Sequence, residues 1–175
     1  MLIDIGGAST ELVRFQNAQP VQLASMPMGC LSLFTKFVGK VTPTDMERKT
    51  IKKEIKKQFH NIGWDDQEAL PLMIGVGGTM RAAHKLSCSL FSITKEQNEI
   101  NAACIREILR ELKDNENEIY HTVYKLIPER TLTISTGLLI LNEAIKKFNC
   151  ENIFISKYGA REGYFIDRIV KEREC

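Results

Sequence analysis

Apolar and polar positions follow a short, strand-like period at the start of the chain and a helical one later. Residues 1–6, 10–16 and 21–26 read as three short strands, with Leu12, Val13 and Phe15 giving the middle one β-branched and aromatic character. The polar run Asn17-Ala18-Gln19-Pro20 marks the turn between the second and third. A short helix starts at Met28-Gly29-Cys30 and reaches about Phe37, with Leu31, Leu33, Phe34 and Phe37 as its apolar residues. Thr42-Pro43-Thr44-Asp45 opens the next helix, capped by Thr44 or Thr42, and Met46, Ile51, Ile55 and Phe59 mark its inward side as far as about Asn61. A strand at 71–75 and a helix at 78–87 precede a polar link over 92–100. Ile105, Ile108, Leu109 and Leu112 recur at helical spacing within 101–113, as do Ile119, Val123 and Leu126 within 115–126. Arg130 to Phe148 reads as one long helix with Ile134, Leu138, Leu141 and Ile145 inward. Asn152 to Ser156 reads as a short buried strand and Tyr158 to Lys171 as a last helix. This order predicts an α/β fold, a mixed sheet of about five strands with helices on both faces.

The candidate chemistry lies in two glycine turns. Asp4 stands near the end of the first strand, and Gly6-Gly7-Ala8-Ser9-Thr10 follows it. Glycine admits positive φ and close approach of the backbone to a ligand, and successive N–H groups in such a turn form an anion-binding nest. The hydroxyls of Ser9 and Thr10 can donate to phosphate oxygens, and Asp4 can hold a hydrated Mg2+ or orient a water. The same residues also suit a hairpin turn with no ligand. The second turn is Gly75-Val76-Gly77-Gly78-Thr79, after an apolar strand and before a helix that Thr79 can cap. It lacks the Gly-Lys-Ser/Thr of a P-loop and the glycine spacing of a dinucleotide site.

Composition narrows the field. At 175 residues, 43% hydrophobic and 26% charged, the chain fits a single globular domain spanning 1–175. A net charge of +2 gives no argument for nucleic acid. No apolar run approaches the ~20 residues of a membrane span, and the N-terminus reads as strand, not leader; a cytoplasmic location is expected. Cys30, Cys88, Cys104, Cys150 and Cys175 are widely spaced, so reduced thiols are expected in place of a disulfide framework or zinc site. His60, His84 and His121 are isolated from one another. Lys49, Lys52, Lys53, Lys56 and Lys57 cover one helix face, a solvated surface or a track for a polyanion.

Four segments, in order, resemble one family. Asp4 to Leu12, D-I-G-G-A-S-T-E-L, resembles the D-I-G-G-G-S-T-E-L motif of the exopolyphosphatase and guanosine-pentaphosphate phosphohydrolase (Ppx/GppA) family. Gly75 to Ala82 is similar to its second glycine motif, Pro128-Glu129-Arg130 with Gly137 to Leu141 to its P-E-R segment and following helix, and Gly159 to Gly163 to its closing G-L-R-E-G. The resemblance implies a ribonuclease-H-like domain of the actin-like ATPase group, the second of two domains, with the first domain and its catalytic Glu absent here. It implies Mg-dependent release of the terminal phosphate from inorganic polyphosphate or guanosine pentaphosphate, and a homodimer for the full-length protein. Asp4 would be catalytic and bind Mg2+ through water; Gly6, Gly7, Ala8, Ser9, Thr10, Gly77, Gly78 and Thr79 would hold phosphate. The isolated chain is expected to be inactive.

Departures from the family pattern mark where that expectation is weakest. Ala8 replaces the third glycine, and its methyl group excludes easy positive φ and narrows the loop. Leu132 and Lys157 stand where aspartates are expected. Glu11 matches the motif glutamate, yet alternation along the strand is expected to turn it away from Asp4. Arg81 is poised either toward phosphate or toward solvent, and Arg161 and Glu162 are expected to form a structural ion pair. Two alternatives stay open: a phosphate or nucleotide sensor without turnover, and half of a sugar or acetate kinase that binds ATP at the second turn.

Overall fold

The computed structural model describes residues 1–64, 70 and 72–170; position 71 of the expected strand, Lys171 and Cys175 lie outside these. A first meander comprises β1 (Leu2–Ile5), β2 (Thr10–Gln16) and β3 (Gln19–Met26), followed by helices α1 (Cys30–Phe37) and α2 (Asp45–Asn61). Then come β4 (Leu72–Val76), α3 (Gly77–Phe91), β5 (Glu99–Asn101), α4 (Ala102–Asp114) and α5 (Glu116–Leu126). A 3-10 turn at Pro128–Arg130, α6 (Ile134–Lys147), β6 (Asn152–Ile155), α7 (Ala160–Phe165) and a π turn at Ile166–Val170 complete the described chain.

The strands form one sheet in the order β3-β2-β1-β4-β6-β5. β1 pairs antiparallel with β2 and parallel with β4, β4 is parallel to β6, and β5 runs antiparallel to β6. The carboxyl ends of β1, β4 and β6 therefore share one edge, where ligands of open α/β sheets bind. The mixed sheet has six strands where about five were expected. The extra one, β5, lies in the expected polar link; only its middle residue, Ile100, is buried, so no alternation showed in three residues.

Ile3, Ile5, Leu12, Met73, Ile153 and Ile155 point to the face that the helices cover. Thr44 starts α2 with a capping box: its side chain accepts from the Glu47 N–H, and the Glu47 carboxylate accepts from the Thr44 N–H at 2.6 Å. Met46, expected inward, is 71% exposed because it sits in the first turn, and Arg48 is buried instead. Arg48 donates to the carbonyls of Pro43 at 3.0 Å and Leu112 at 2.9 Å, tying α2 to α4. Every residue of α6 from Ile134 to Ile145 is buried, polar ones included, because helices α1, α2, α3 and α4 all pack around it. Pro128 starts a separate 3-10 turn, which splits the expected helix from Arg130 to Phe148.

Helices on both faces were expected, yet among the described residues the helix layers lie on one. Residues 160–169 of the last helical segment are exposed throughout, and no helix of the described residues packs broadly on the other face. There the register aligns Leu23, Val13, Leu2, Ile74 and Phe154 side by side across five strands. Beside that apolar row runs a polar one, Ser25, Glu11 and Asp4, at the edge that carries the glycine turns.

Candidate active site

The first glycine turn closes the β1–β2 hairpin, with Ile5 opposite Thr10 and the Gly6 N–H donating to the Ser9 carbonyl at 3.0 Å. Its carbonyls face α1: the Gly6 oxygen accepts from Cys30 N–H at 2.9 Å, and the Gly7 oxygen accepts from Leu31 and Ser32 N–H at 2.9 Å. With carbonyls turned inward, the N–H groups of Gly7, Ala8 and Ser9 have no acceptor among the described residues. Three successive free donors are what a nest requires. None of Gly6, Gly7 and Ala8 has positive φ, so Ala8 fits without backbone strain, contrary to expectation. The close contact is at Gly29, whose Cβ would overlap the Gly7 carbonyl and the Ala8 nitrogen. An open groove of about 470 Å3 lies alongside, lined by Gly7, Ala8, Ser32, Thr35 and Lys36 among others.

The second turn is built differently. Gly77 has φ +87°, and a Cβ there would meet the Asp4 Oδ1. A Cβ on Gly78 would run into the guanidinium of Arg130. The pair of glycines thus lets a carboxylate and a guanidinium lie directly on the first turn of α3. Val76 precedes that turn without any side-chain cap, so the leading N–H groups remain available at the positive end of the helix dipole. Thr79 is not the cap; it lies inside α3, buried, and its hydroxyl donates to the Ile5 carbonyl at 2.8 Å.

These contacts sort the expected site residues. Gly7, Ala8, Ser9, Gly77 and Gly78 border the cradle with backbone donors, and Asp4 stands between the turns, two residues before Gly6 and against Gly77. Gly6 spends its N–H within the hairpin. Thr10 is buried and its hydroxyl donates to the Met28 carbonyl at 2.7 Å, so Thr10 and Thr79 turn their hydroxyls inward and hold the turns in place.

Glu11 corrects the strand-alternation argument. Directly opposed residues of an antiparallel pair share a face, and Asp4 pairs with Glu11. Ser25 Oγ donates to Glu11 Oε1 at 3.1 Å from the third strand. Burial raises the Asp4 carboxyl above its ordinary range, the Glu11 carboxylate raises it further, and Arg81 pulls the other way. Arg130 was visible in sequence only as part of Pro128-Glu129-Arg130; its approach to Gly78 depends on the 3-10 turn. Glu162 does not pair with Arg161; its carboxylate accepts from the Gly159 N–H at 2.7 Å, and this bond chiefly lowers its pKa. Leu132 and Lys157 are exposed and add no carboxylate. The lysines of α2 form a surface face, with Lys56 Nζ 3.9 Å from the buried Glu143.

The Ppx/GppA phosphatase family matches residues 1–172. The chain belongs to that family. It is 24% identical over 186 aligned residues to a Vibrio cholerae guanosine-5'-triphosphate,3'-diphosphate pyrophosphatase, covering 99% of this chain and 34% of that protein. A Ppx/GppA family member from Aquifex aeolicus superposes with a TM-score of 0.81 at 21% identity, covering 98% of this chain and 56% of that one. An exopolyphosphatase from Cytophaga hutchinsonii gives 0.74 at 15% identity, covering 94% and 55%. The chain thus shares the fold of these solved family members, and it spans about a third of the curated relative and just over half of the solved ones. No helix among the described residues is long and apolar enough to cross a membrane.

Proposed function

We propose that this chain is the phosphate-gripping domain of a phosphohydrolase that removes the terminal phosphate of inorganic polyphosphate or guanosine pentaphosphate. The observation that carries this is the pairing of two sets of free backbone donors, at Gly7–Ser9 and at the start of α3, with Asp4 between them. Phosphoryl transfer asks mainly for positioning and charge stabilisation, which rigid N–H groups supply without reorganisation. Arg130 adds a cation at an uncapped helix N-terminus, where positive charge is unfavourable until an anion arrives.

Adjacent carboxylates at Asp4 and Glu11 fit a hard cation, and no cluster of three or more His, Cys, Asp or Glu side chains exists among the described residues. They would therefore hold Mg2+ with waters and phosphate oxygens completing its shell, and the bound ion would neutralise phosphate charge. Asp4, with its raised affinity for a proton, also suits orientation of the attacking water.

Relatives are longer than this chain, and Gly7 and Ala8 of the cradle are exposed to solvent. Turnover is accordingly assigned to a two-domain protein in which a further domain supplies the opposing wall and a general base. The test is phosphate release from long-chain polyphosphate with Mg2+, by this chain and by Asp4→Ala. No release from either is expected here, whereas release by the intact chain that Asp4→Ala abolishes would place the whole catalytic set in these residues.

A further inference from the structure

Away from the glycine turns, α3 borders a second cavity of about 620 Å3. It lies beside His84 and Cys88, about 10 to 16 Å along the helix from Gly77 at about 1.5 Å per residue. Its size is that of a small-molecule site. Lys85 from α3, Lys95 from the loop before β5 and Lys125 from the end of α5 all line it, and no carboxylate lines it among the described residues. Nor does any of the three lysines make an ion pair among those residues. Three lysines from three segments thus line one cavity, so an anion bound there would be attracted by all three. The remaining surface is largely apolar, with Ile93 and Leu126 contributing.

The wall between is fixed by His84. Its Nε2 lies 2.6 Å from the Gln97 carbonyl oxygen, which can only accept, so Nε2 carries the hydrogen and the loop is pinned to α3. Gln97 in turn accepts from the Thr94 N–H at 3.1 Å, bracing the turn that presents Lys95. The Cys88 sulfur sits 3.5 Å from the same imidazole nitrogen and borders the cavity, where it can report occupancy.

We infer that this cavity is a second ligand site, taking an organophosphate whose phosphate meets Lys85, Lys95 and Lys125 and whose apolar body lies against Ile93 and Leu126. Lysines suit a multiply charged phosphate as mobile point charges, without the planar fork of arginine. The site is separate from the glycine cradle and does not depend on the reading of that cradle as a phosphohydrolase.

Cys88 makes the test local. The full chain is treated with iodoacetamide at mildly alkaline pH, and Cys88 alkylation is followed by peptide mass spectrometry with phenyl phosphate, inorganic phosphate or neither. Phenyl phosphate at about twice its dissociation constant slows Cys88 alkylation roughly threefold, as site occupancy requires. Inorganic phosphate at the same concentration slows it much less, and a Lys85→Gln/Lys125→Gln variant loses the protection. Asp4→Ala keeps it, because the reporter lies outside the cradle. Unchanged alkylation, equal protection by inorganic phosphate, or protection that survives the double lysine variant would each overturn the proposal. Methyl chemical shifts of Ile93 and Leu126 give an independent readout: shifts that saturate with phenyl phosphate support the site, and their absence refutes it.

Discussion

The two glycine turns are alike in composition and unlike in construction. At Gly6–Ser9 the chain bends with negative φ throughout and is held by carbonyls pointed at α1, which leaves three N–H groups outward. At Gly77–Thr79 the chain takes positive φ at Gly77 alone, and Asp4 and Arg130 occupy the space two Cβ atoms would need. The first turn uses glycine for slack and the second for room. An alanine is therefore already present at position 8 in the first turn, while no side chain fits at Gly77 or Gly78 without displacing a charged group.

The largest expected difference is in stability. Gly77→Ala combines a strained φ with a collision at Asp4 and is expected to cost about 2–4 kcal/mol. Gly7→Ala places a methyl 3.7 Å from the Leu31 Cβ, an ordinary contact, and should stay within about 0.5 kcal/mol. Urea unfolding of the two variants measures the gap, and equal losses would break the distinction. Next in size is Thr79→Val, which leaves the buried Ile5 carbonyl without its side-chain donor and is expected to cost about 1–3 kcal/mol. Ser9→Ala at the partly exposed loop should again stay within about 0.5 kcal/mol, so the hydroxyls sharpen the same contrast.

Much of this was legible because it is local. Alternation and helical spacing placed β1, β2, α2 and α4 to within a residue or two, and the Gly-rich segments located both turns. What stayed hidden depends on tertiary partners. That Asp4 and Glu11 share a face follows from hairpin register, which alternation along one strand does not supply. Arg130 reaches Gly78 only because Pro128 breaks the helix before α6, and Gly29 matters only because α1 returns to the first turn. Thr79 looked like a cap by residue type, yet the Ile5 carbonyl on the neighbouring strand β1 claimed its hydroxyl. A three-residue strand around one buried isoleucine is too short to carry a period.

The smallest expected effect concerns charge between the turns. Burial and Glu11 raise the Asp4 carboxyl, so the folded chain holds this proton more tightly than the unfolded one. Stability from this group is then greatest below the ordinary carboxylate range and declines as pH rises through the raised value. Asp4→Asn removes that decline. It should equal the parent in acid and exceed it at neutral pH by less than about 1 kcal/mol, once solvent screening is allowed for. Urea curves at the two pH values check this, and a neutral-pH loss on substitution would reverse the sign of the argument.

The central claim is that the two turns grip one phosphate group through their backbone. Amide chemical shifts of the isotope-labelled chain, titrated with tripolyphosphate and Mg2+, test it most directly. Saturable shifts are expected at Gly7, Ala8, Ser9, Gly77 and Gly78, with Gly6, whose N–H is engaged in the hairpin, moving less. Shifts confined to the lysine face of α2, or none at the two turns, would contradict it.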